Sequence, residues 1–423
     1  MQSTFLISLF MISIIGSAQA NVLENEIRDV IASRVVNDPR LVGLVIGLER
    51  GSDRAVLGWS RLGATGTPVP DGDTVFEIGS VTKVFTARLL GDFIDRRQAR
   101  LDDLAESLLS PGVRLPRSTS GKTFTLLQLA EHSSGLPRLP SNLAPKNPAD
   151  PYADYTEALL NEFLKTYVLD REPGSKVEYS NLGYGLLGHL LAAKTGVNYA
   201  SLIQDRIAGP LGMTRTAVVW SGPMAQGHDS GGEPVLNWDL GALLGAGALR
   251  STANDLLKFL AAEAAKTGTP LGWVEDNGSF WHNGQTGGFH AYIGFHRPSG
   301  TRVVVLANAA VSIDDIGAHL LNGSSLAVPP RPRKELVLAP AILEAYVGRY
   351  ELAADFILTV RRDGDHLKVQ ATGQPELTVF AESETGFFYK AVEASLTFHK
   401  NASGRVTGLT LHQNGDQVAR RLP

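Results

Sequence analysis

The 423-residue chain has a formal net charge of −4, with 43% hydrophobic and 19% charged residues. That balance is ordinary for a folded protein of two or more domains and offers no basic field for nucleic acid. Without a single cysteine, disulfides, a thiol nucleophile and a lipid-modified cysteine are all excluded.

Residues 1–20 read as a cleaved signal peptide. Phe5 to Ile15 is apolar, and Gly16 and the triplet Ala18-Gln19-Ala20 follow as a cleavage-type site, although no Lys or Arg precedes the run. The run is too short to span a bilayer comfortably, so no membrane span is expected after its removal, and a periplasmic or secreted protein is expected. Residues 24–36 then read as an amphipathic helix, and residues 41–48 and 54–59 as a hairpin turning at Arg50-Gly51.

Residues 74–79 form an extended approach to Ser80-Val81-Thr82-Lys83, after which Val84, Phe85, Leu89, Leu90, Phe93 and Ile94 recur at helical spacing. A Ser and a Lys three apart share one helix face, so the amine can touch the hydroxyl. In a first helical turn the Ser80 N–H also lacks a helical acceptor and lies near the positive end of the dipole. Four residues thus supply a nucleophile, an activator and half an oxyanion hole.

Downstream, residues 126–137 (Leu-Leu-Gln-Leu-Ala-Glu-His-Ser-Ser-Gly-Leu-Pro) read as a helix ending at a Gly stop. A Gly-x-Ser-x-Gly reading fails there because Glu131 stands where the first Gly must be. A Pro-rich loop spans residues 137–151. Tyr179-Ser180-Asn181 follows the turn Glu172-Pro173-Gly174-Ser175 and precedes an apolar helix (182–191), so Tyr179 and Asn181 can face one cleft. His282-Asn283-Gly284 leads into Gln285-Thr286-Gly287-Gly288 and an alternating strand (290–296), with a further strand at 301–307 and a closing helix at 313–321. Glycines beside a strand let a substrate backbone come close. The order Ser-x-x-Lys, Tyr-x-Asn, His-x-Gly, with gaps of 99 and 103 residues between leading members, is far more specific than any one piece. Strands at both ends with helices between them predict an α+β layer arrangement with the site at the seam. His290 and His296 have no third ligand at metal spacing, so no metal is expected.

Residues 326–344 contain Val328-Pro329-Pro330-Arg331-Pro332-Arg333-Lys334 and read as a linker between a domain over 21–325 and one over 345–423. From residue 345 the texture changes to short alternating strands at 356–360, 366–369, 377–380, 387–389, 396–398 and 406–412. Turns at Asp363-Gly364, Ser403-Gly404 and Asn414-Gly415 separate several of them, which predicts a small β-barrel or sandwich.

On these motifs the chain resembles the penicillin-recognising serine hydrolases of the class C β-lactamase and D-Ala-D-Ala carboxypeptidase type, which also include esterases and D-aminopeptidases. The resemblance covers about residues 25–320 and takes in Pro210-Leu211-Gly212-Met213 and the segment 247–255. Tyr-Ser-Asn, rather than Ser-Asp-Asn, points to the class C branch. It implies an antiparallel sheet flanked by helices with an all-helical subdomain, and the C-terminal part looks like the lipocalin-like appendage of some members. It further implies an acyl-enzyme mechanism on β-lactams or D-alanyl peptides without a cofactor. Ser80 would be the nucleophile, with Lys83 and Tyr179 moving the proton. Tyr179 as base needs its pKa drawn from about 10 toward neutrality by a neighbouring cation. Asn181 would meet a substrate acylamide, and the Gln285 N–H after His282-x-Gly284 would complete the oxyanion hole.

Departures from the pattern bear on the substrate. His282 replaces the Lys usual in β-lactamases; protonated it can hold a carboxylate, neutral it only donates one hydrogen bond. Arg138 and Leu139 follow Gly-Leu-Pro where a Gln is usual. The stretch 255–273 is short, which implies a missing helix and site wall. Ester or D-amino-acid amide hydrolysis on the same machinery is the alternative, and a penicillin-binding sensor that acylates without turnover is an alternative of another class.

Overall fold

The computed structural model describes residues 20–63, 68–109, 114–329, 335–353, 356–374, 376–390, 392, 394–413 and 415–423. The expected signal peptide, apart from its last residue, and linker residues 330–334 lie outside the described residues. The chain divides into two compact units, one built mainly from residues up to 329 and the other mainly from those after it.

The first unit opens with α1 (Ala20–Val30), which loosens into a wider turn at Ile31–Val35, and the hairpin β1 (Gly43–Arg50) and β2 (Asp53–Ser60). Then come β3 (Phe76–Glu77), α2 (Thr82–Asp95), α3 (Leu126–Ala130), α4 (Glu157–Thr166), α5 (Asn181–Thr195), α6 (Tyr199–Ile203), α7 (Leu244–Gly247), β4 (Arg250–Ser251) and α8 (Ala253–Ala264). Strands β5 (Val274–Asp276), β6 (Ser279–Gln285), β7 (His290–His296) and β8 (Thr301–Ala307) follow, and α9 (Asp314–Asn322) closes the unit.

The main sheet is antiparallel throughout, in the order β2-β1-β8-β7-β6-β5. It is buried on both faces, so its central strands are apolar almost without interruption. The alternation still sorts them. Leu44, Ile46, Leu48, Val303, Val305 and Tyr292 pack with Leu23 and Ile27 of α1 and Ile316 and Leu320 of α9. Val45, Val304, Leu306, Ala291, Ile293 and Phe295 face the core that holds Val84, Phe85 and Leu89 of α2 and Leu256 and Leu260 of α8. The third motif therefore sits on a strand, β6, rather than on the loop before one. Its sequence alternates too weakly to have been read that way.

Short polar side chains start the helices. Thr125 and Gln128 make a reciprocal capping box on α3, and Thr156, Asn198 and Thr252 cap α4, α6 and α8. Ser180, the middle residue of Tyr-Ser-Asn, is the N-cap of α5, accepting the Gly183 N–H at 2.8 Å. The motif thus begins a helix, which ends at Gly196 in the left-handed conformation (φ 68°). After α8 the described chain enters β5 without a further helix.

The second unit consists of α10 (Pro340–Tyr346) and eight antiparallel strands. These are β9 (Gly348–Ala353), β10 (Phe356–Asp363), β11 (His366–Ala371), β12 (Glu376–Ala381), β13 (Gly386–Tyr389), β14 (Ser395–Lys400), β15 (Val406–His412) and β16 (Asp416–Arg421). They form a closed barrel, its last seam made by Arg420 opposite Glu351 and Arg421 opposite Tyr350. Leu358, Val360, Leu367, Val369, Val379, Leu396, Phe398, Leu409 and Leu411 fill the interior. Tyr346 of α10 stacks on Phe398 at 4.3 Å and meets Phe387 edge-on. Its hydroxyl donates to the Glu384 carbonyl at 2.8 Å, and the Tyr350 hydroxyl donates to the Tyr346 carbonyl at 2.8 Å. The barrel core thus draws in Leu338, Ile342 and Leu343, upstream of the expected boundary at 345.

Candidate active site

Strand β3 delivers Ser80 to a single tight turn, Gly79–Val81, that runs straight into α2. The turn is held from below: the Ile78 N–H donates to the Leu249 carbonyl at 3.1 Å, and the Leu249 N–H donates to Thr82 Oγ1 at 3.0 Å. Segment 247–255 is therefore the cradle of the Ser80 turn. Ser80 remains partly exposed, whereas Lys83, one turn on, is fully buried.

Lys83 Nζ lies 2.9 Å from Ser80 Oγ and donates to the Ala246 carbonyl at 2.7 Å. Its other neighbours are rings, Tyr179 at 4.8 Å and Tyr184 at 6.0 Å. No carboxylate pairs with it among the described residues. Burial, with Arg138 adding like-charge repulsion, pushes the amine well below the usual lysine range. An amine whose charged form is disfavoured, beside a serine hydroxyl, is suited to accept its proton.

Tyr179 behaves differently from the sequence expectation. Burial raises its phenol above the ordinary tyrosine value, and the opposing effects of Ser80 and Arg138 do not overcome that. The cation at the ring is present, yet desolvation wins, so the phenol keeps its proton at neutral pH. The ring is seated by His132, whose centroid lies 4.5 Å away and which also packs against Tyr184. His132 Nδ1 accepts the Ser180 N–H at 3.0 Å, which puts any ring proton on Nε2, and burial holds this imidazole neutral with a pKa of about 3. Ser180 Oγ donates to the Pro137 carbonyl at 2.6 Å, and the Asn181 and Leu182 N–H groups donate to the Arg138 carbonyl. The segment 132–138 is thus bolted to the second motif. That function was not legible in its letters.

On the other side, His282 and Gly284 share one face of β6 and Asn283 points to the opposite face. Asn283 Nδ2 donates to Asp314 Oδ2 at 2.6 Å and His290 Nε2 lies 2.9 Å from Asp314 Oδ1, so α9 clamps both strands. His282 is buried, and desolvation together with Lys83 lowers it to about 4. In the ligand-free fold it is therefore neutral at physiological pH and offers a carboxylate at most a hydrogen bond.

The two backbones meet at glycines. A Cβ on Gly284 would lie 2.7 Å from the Ser80 nitrogen and closer still to the Ile78 carbonyl, and one on Gly79 (φ 48°) would lie 2.7 Å from the Gln285 nitrogen. Thr286 donates to Phe289 across the hairpin, and Gln285 stands opposite His290 in the next, non-bonded pair. Alternation therefore turns the Gln285 N–H away from β7, toward the free edge that faces Ser80. The Ser80 and Gln285 backbones thus approach each other closely at this seam.

Asn181 lies on the first turn of α5. Its Nδ2 donates to the Tyr152 hydroxyl at 3.3 Å, while its Oδ1 is buried without a partner. Tyr152 meets Trp238 edge-on at 5.6 Å, and Trp238 reaches across to Gly287, where a Cβ would lie 2.7 Å from the indole nitrogen. Tyr152 and Trp238 form an aromatic wall between the second and third motifs that sequence reasoning missed, since each sits in an irregular loop. Among the described residues no cluster of three or more His, Asp or Glu is placed to hold a metal ion.

The beta-lactamase family profile matches residues 27–322, and a profile described as a domain of unknown function (DUF3471) matches residues 333–421. The D-alanyl-D-alanine-carboxypeptidase/endopeptidase AmpH of Escherichia coli K12 is 28% identical over 239 residues, 56% of this chain. That match spans only 61% of AmpH's own length. Penicillin-binding protein 4* of Bacillus subtilis is 26% identical over 385 residues, covering 77% of this chain and 83% of that protein. The crystal structure of the D-alanine carboxypeptidase AmpC from Burkholderia cenocepacia superposes with a TM-score of 0.56 at 25% identity, over 69% of this chain and 96% of that one. The chain belongs to the beta-lactamase family of penicillin-recognising serine hydrolases.

Proposed function

We propose that this protein is a serine acyl-enzyme hydrolase acting on β-lactams or D-alanyl peptides. The observation that carries the reading is Ser80 Oγ 2.9 Å from a buried amine without a carboxylate partner among the described residues, where the Ser80 and Gln285 backbones approach each other. Ser80 Oγ attacks the substrate carbonyl while its proton passes to neutral Lys83. The oxyanion is held by the Ser80 and Gln285 amides, each such donor being worth on the order of 100-fold in rate. As the C–N bond breaks, the Lys83 ammonium returns the proton through the Tyr179 hydroxyl to the departing nitrogen. Water then releases the acyl group by the reverse relay. Tyr179 is a protonated relay in this scheme, and Asn181 meets the acylamide. No helix among the described residues is long and apolar enough to cross a membrane. The apolar run 5–15 with its Ala-Gln-Ala site supports export to the periplasm or medium.

A second reading, carboxylic-ester hydrolysis, is favoured by His282. A neutral imidazole in a position suited to a cation gives no charge for the carboxylate of a β-lactam or of a terminal D-alanine. Turnover of a chromogenic cephalosporin, a D-Ala-D-Ala peptide and a p-nitrophenyl ester, each with Ser80→Ala alongside, tests both. Lactam or peptide turnover lost in the variant supports the first reading, and ester cleavage alone supports the second. Activity surviving Ser80→Ala overturns both, and a stable adduct on Ser80 without turnover makes the protein a binder.

A further inference from the structure

We propose that the guanidinium of Arg138 holds a carboxylate on the acyl side of the substrate, so that this enzyme selects anionic acyl donors. The proposal rests on the serine-hydrolase reading and names the substrate class of that site.

The position of Arg138 is fixed by the second motif. Its carbonyl accepts the Asn181 N–H at 3.0 Å and the Leu182 N–H at 3.2 Å, which places the residue at the start of α5 beside Asn181. Its side chain extends over the Tyr179 ring, with the guanidinium carbon 5.1 Å from the centroid, on the same ring that Lys83 approaches at 4.8 Å. The residue is exposed, and its guanidinium has no ion pair and no side-chain hydrogen bond among the described residues. Three other arginines of this unit do have carboxylate partners: Arg117 with Glu106, Arg171 with Glu178 and Arg250 with Glu77.

The electrostatics agree with that geometry. Arg138 acts on Lys83, His132, Tyr152 and Tyr179, all of them site groups and none a carboxylate. Burial disfavours the charged forms of Lys83 and His282, whereas the exposed Arg138 guanidinium carries a standing positive charge. Placing it there destabilises the protonated forms of its neighbours and makes no compensating pair within the fold. A planar guanidinium with free donors matches a carboxylate through two parallel hydrogen bonds. Asn181, whose N–H the Arg138 carbonyl accepts, has its Oδ1 buried without a partner, which calls for an N–H donor. An acyl group with both an amide N–H and a free carboxylate satisfies the two together, as an acidic peptide would.

The test compares matched substrates on the full chain. One pair is p-nitrophenyl pentanoate and the p-nitrophenyl hemiester of glutarate; the other is N-propionyl- and N-succinyl-D-Ala-D-Ala. The wild-type enzyme is expected to favour the anionic member of whichever pair it turns over by about 10- to 100-fold in kcat/KM, the scale of a charge-assisted contact. Arg138→Gln should collapse that ratio, and Arg138→Lys should retain part of it, since charge survives but the fork does not. No preference in the wild type overturns the proposal. So does an Arg138→Gln variant that slows both members equally, because the arginine then acts through the charge states of Lys83 and Tyr179. Loss of all turnover in Ser80→Ala leaves the hydrolase reading standing whichever way the ratio falls, so the two failures are distinguishable.

Discussion

The two units bury different things. Residues 335–423 enclose an interior of aliphatic and aromatic side chains; among the described residues there Thr410 is the one buried Ser, Thr or charged side chain, and it faces out, away from Leu409 and Leu411, against His399. The first unit buries Lys83, Glu77, Asp255, Glu263, His282 and His290. Burying ionisable groups costs stability unless each is paired. Several here are paired, Glu263 with Arg88 and Asp255 with Lys258, but Lys83 is not. A fold that keeps a buried, unpaired amine against a serine hydroxyl has given up stability to hold a reactive proton acceptor. The barrel shows what the same chain does when no such demand is made.

That contrast can be broken most severely at Lys83. Lys83→Met fills the same space without the amine, and kcat/KM for any substrate cleaved by the native enzyme should fall on the order of 10⁴-fold. Stability measured by denaturant unfolding should hold or rise. A large loss of stability would mean that the lysine is a structural strut. In the barrel the opposite pattern is expected. Phe398 lies among Tyr346, Tyr350 and Phe387, and Phe398→Ala should cost about 3–5 kcal/mol in unfolding. Burst acylation of Ser80 should persist below the transition.

A smaller loss is expected where the two backbones touch. Gly284→Ala places a methyl against the Ile78 carbonyl and the Ser80 nitrogen, so the amides must separate. A 10²- to 10³-fold drop in kcat is expected, with little change in KM; an unchanged kcat would remove the β6 amide from the oxyanion hole. The effect of pH is spread over several pH units rather than caused by one substitution. His132 and His282 titrate at about 3 and about 4 in the fold and near 6.5 when unfolded. Between about pH 6.5 and 4 the unfolded chain therefore binds more protons, so stability falls on acidification, by up to about 1.4 kcal/mol per pH unit for each histidine. Below about pH 3 the effect levels off. Thermal melts at pH 7, 5.5 and 4.5 should show the decline, and His282→Gln should remove about half of its slope, leaving the part due to His132.

The candidate site was legible because its chemistry is written in short local patterns. Ser80 and Lys83 needed only helical spacing, and Gln285 was named by its place after His282-x-Gly284 in the family pattern. The charge states were not legible: a nearby cation was expected to draw Tyr179 down, and burial, which no spacing reveals, raises it instead. Arg138 was visible as a departure, but its lack of a partner is a fact of the fold. In the barrel, the six strands from β10 to β15 were readable from alternation. The closing pair was not, because β16 (Asp-Gln-Val-Ala-Arg-Arg) buries Ala419 alone and β9 follows directly on α10. β5, exposed at all three positions, leaves no trace of periodicity.

The contact of Gly79 with Gln285 and of Gly284 with Ser80 also decides where this enzyme can change. Neither glycine can enlarge without displacing the opposite amide, so the seam admits almost no single-step variation. Tyr152, Trp238 and Arg138 stand on loops around it and can be exchanged without moving either donor. Selection for a new substrate, in nature or in a library, will therefore be recorded at those three positions while the seam stays as it is.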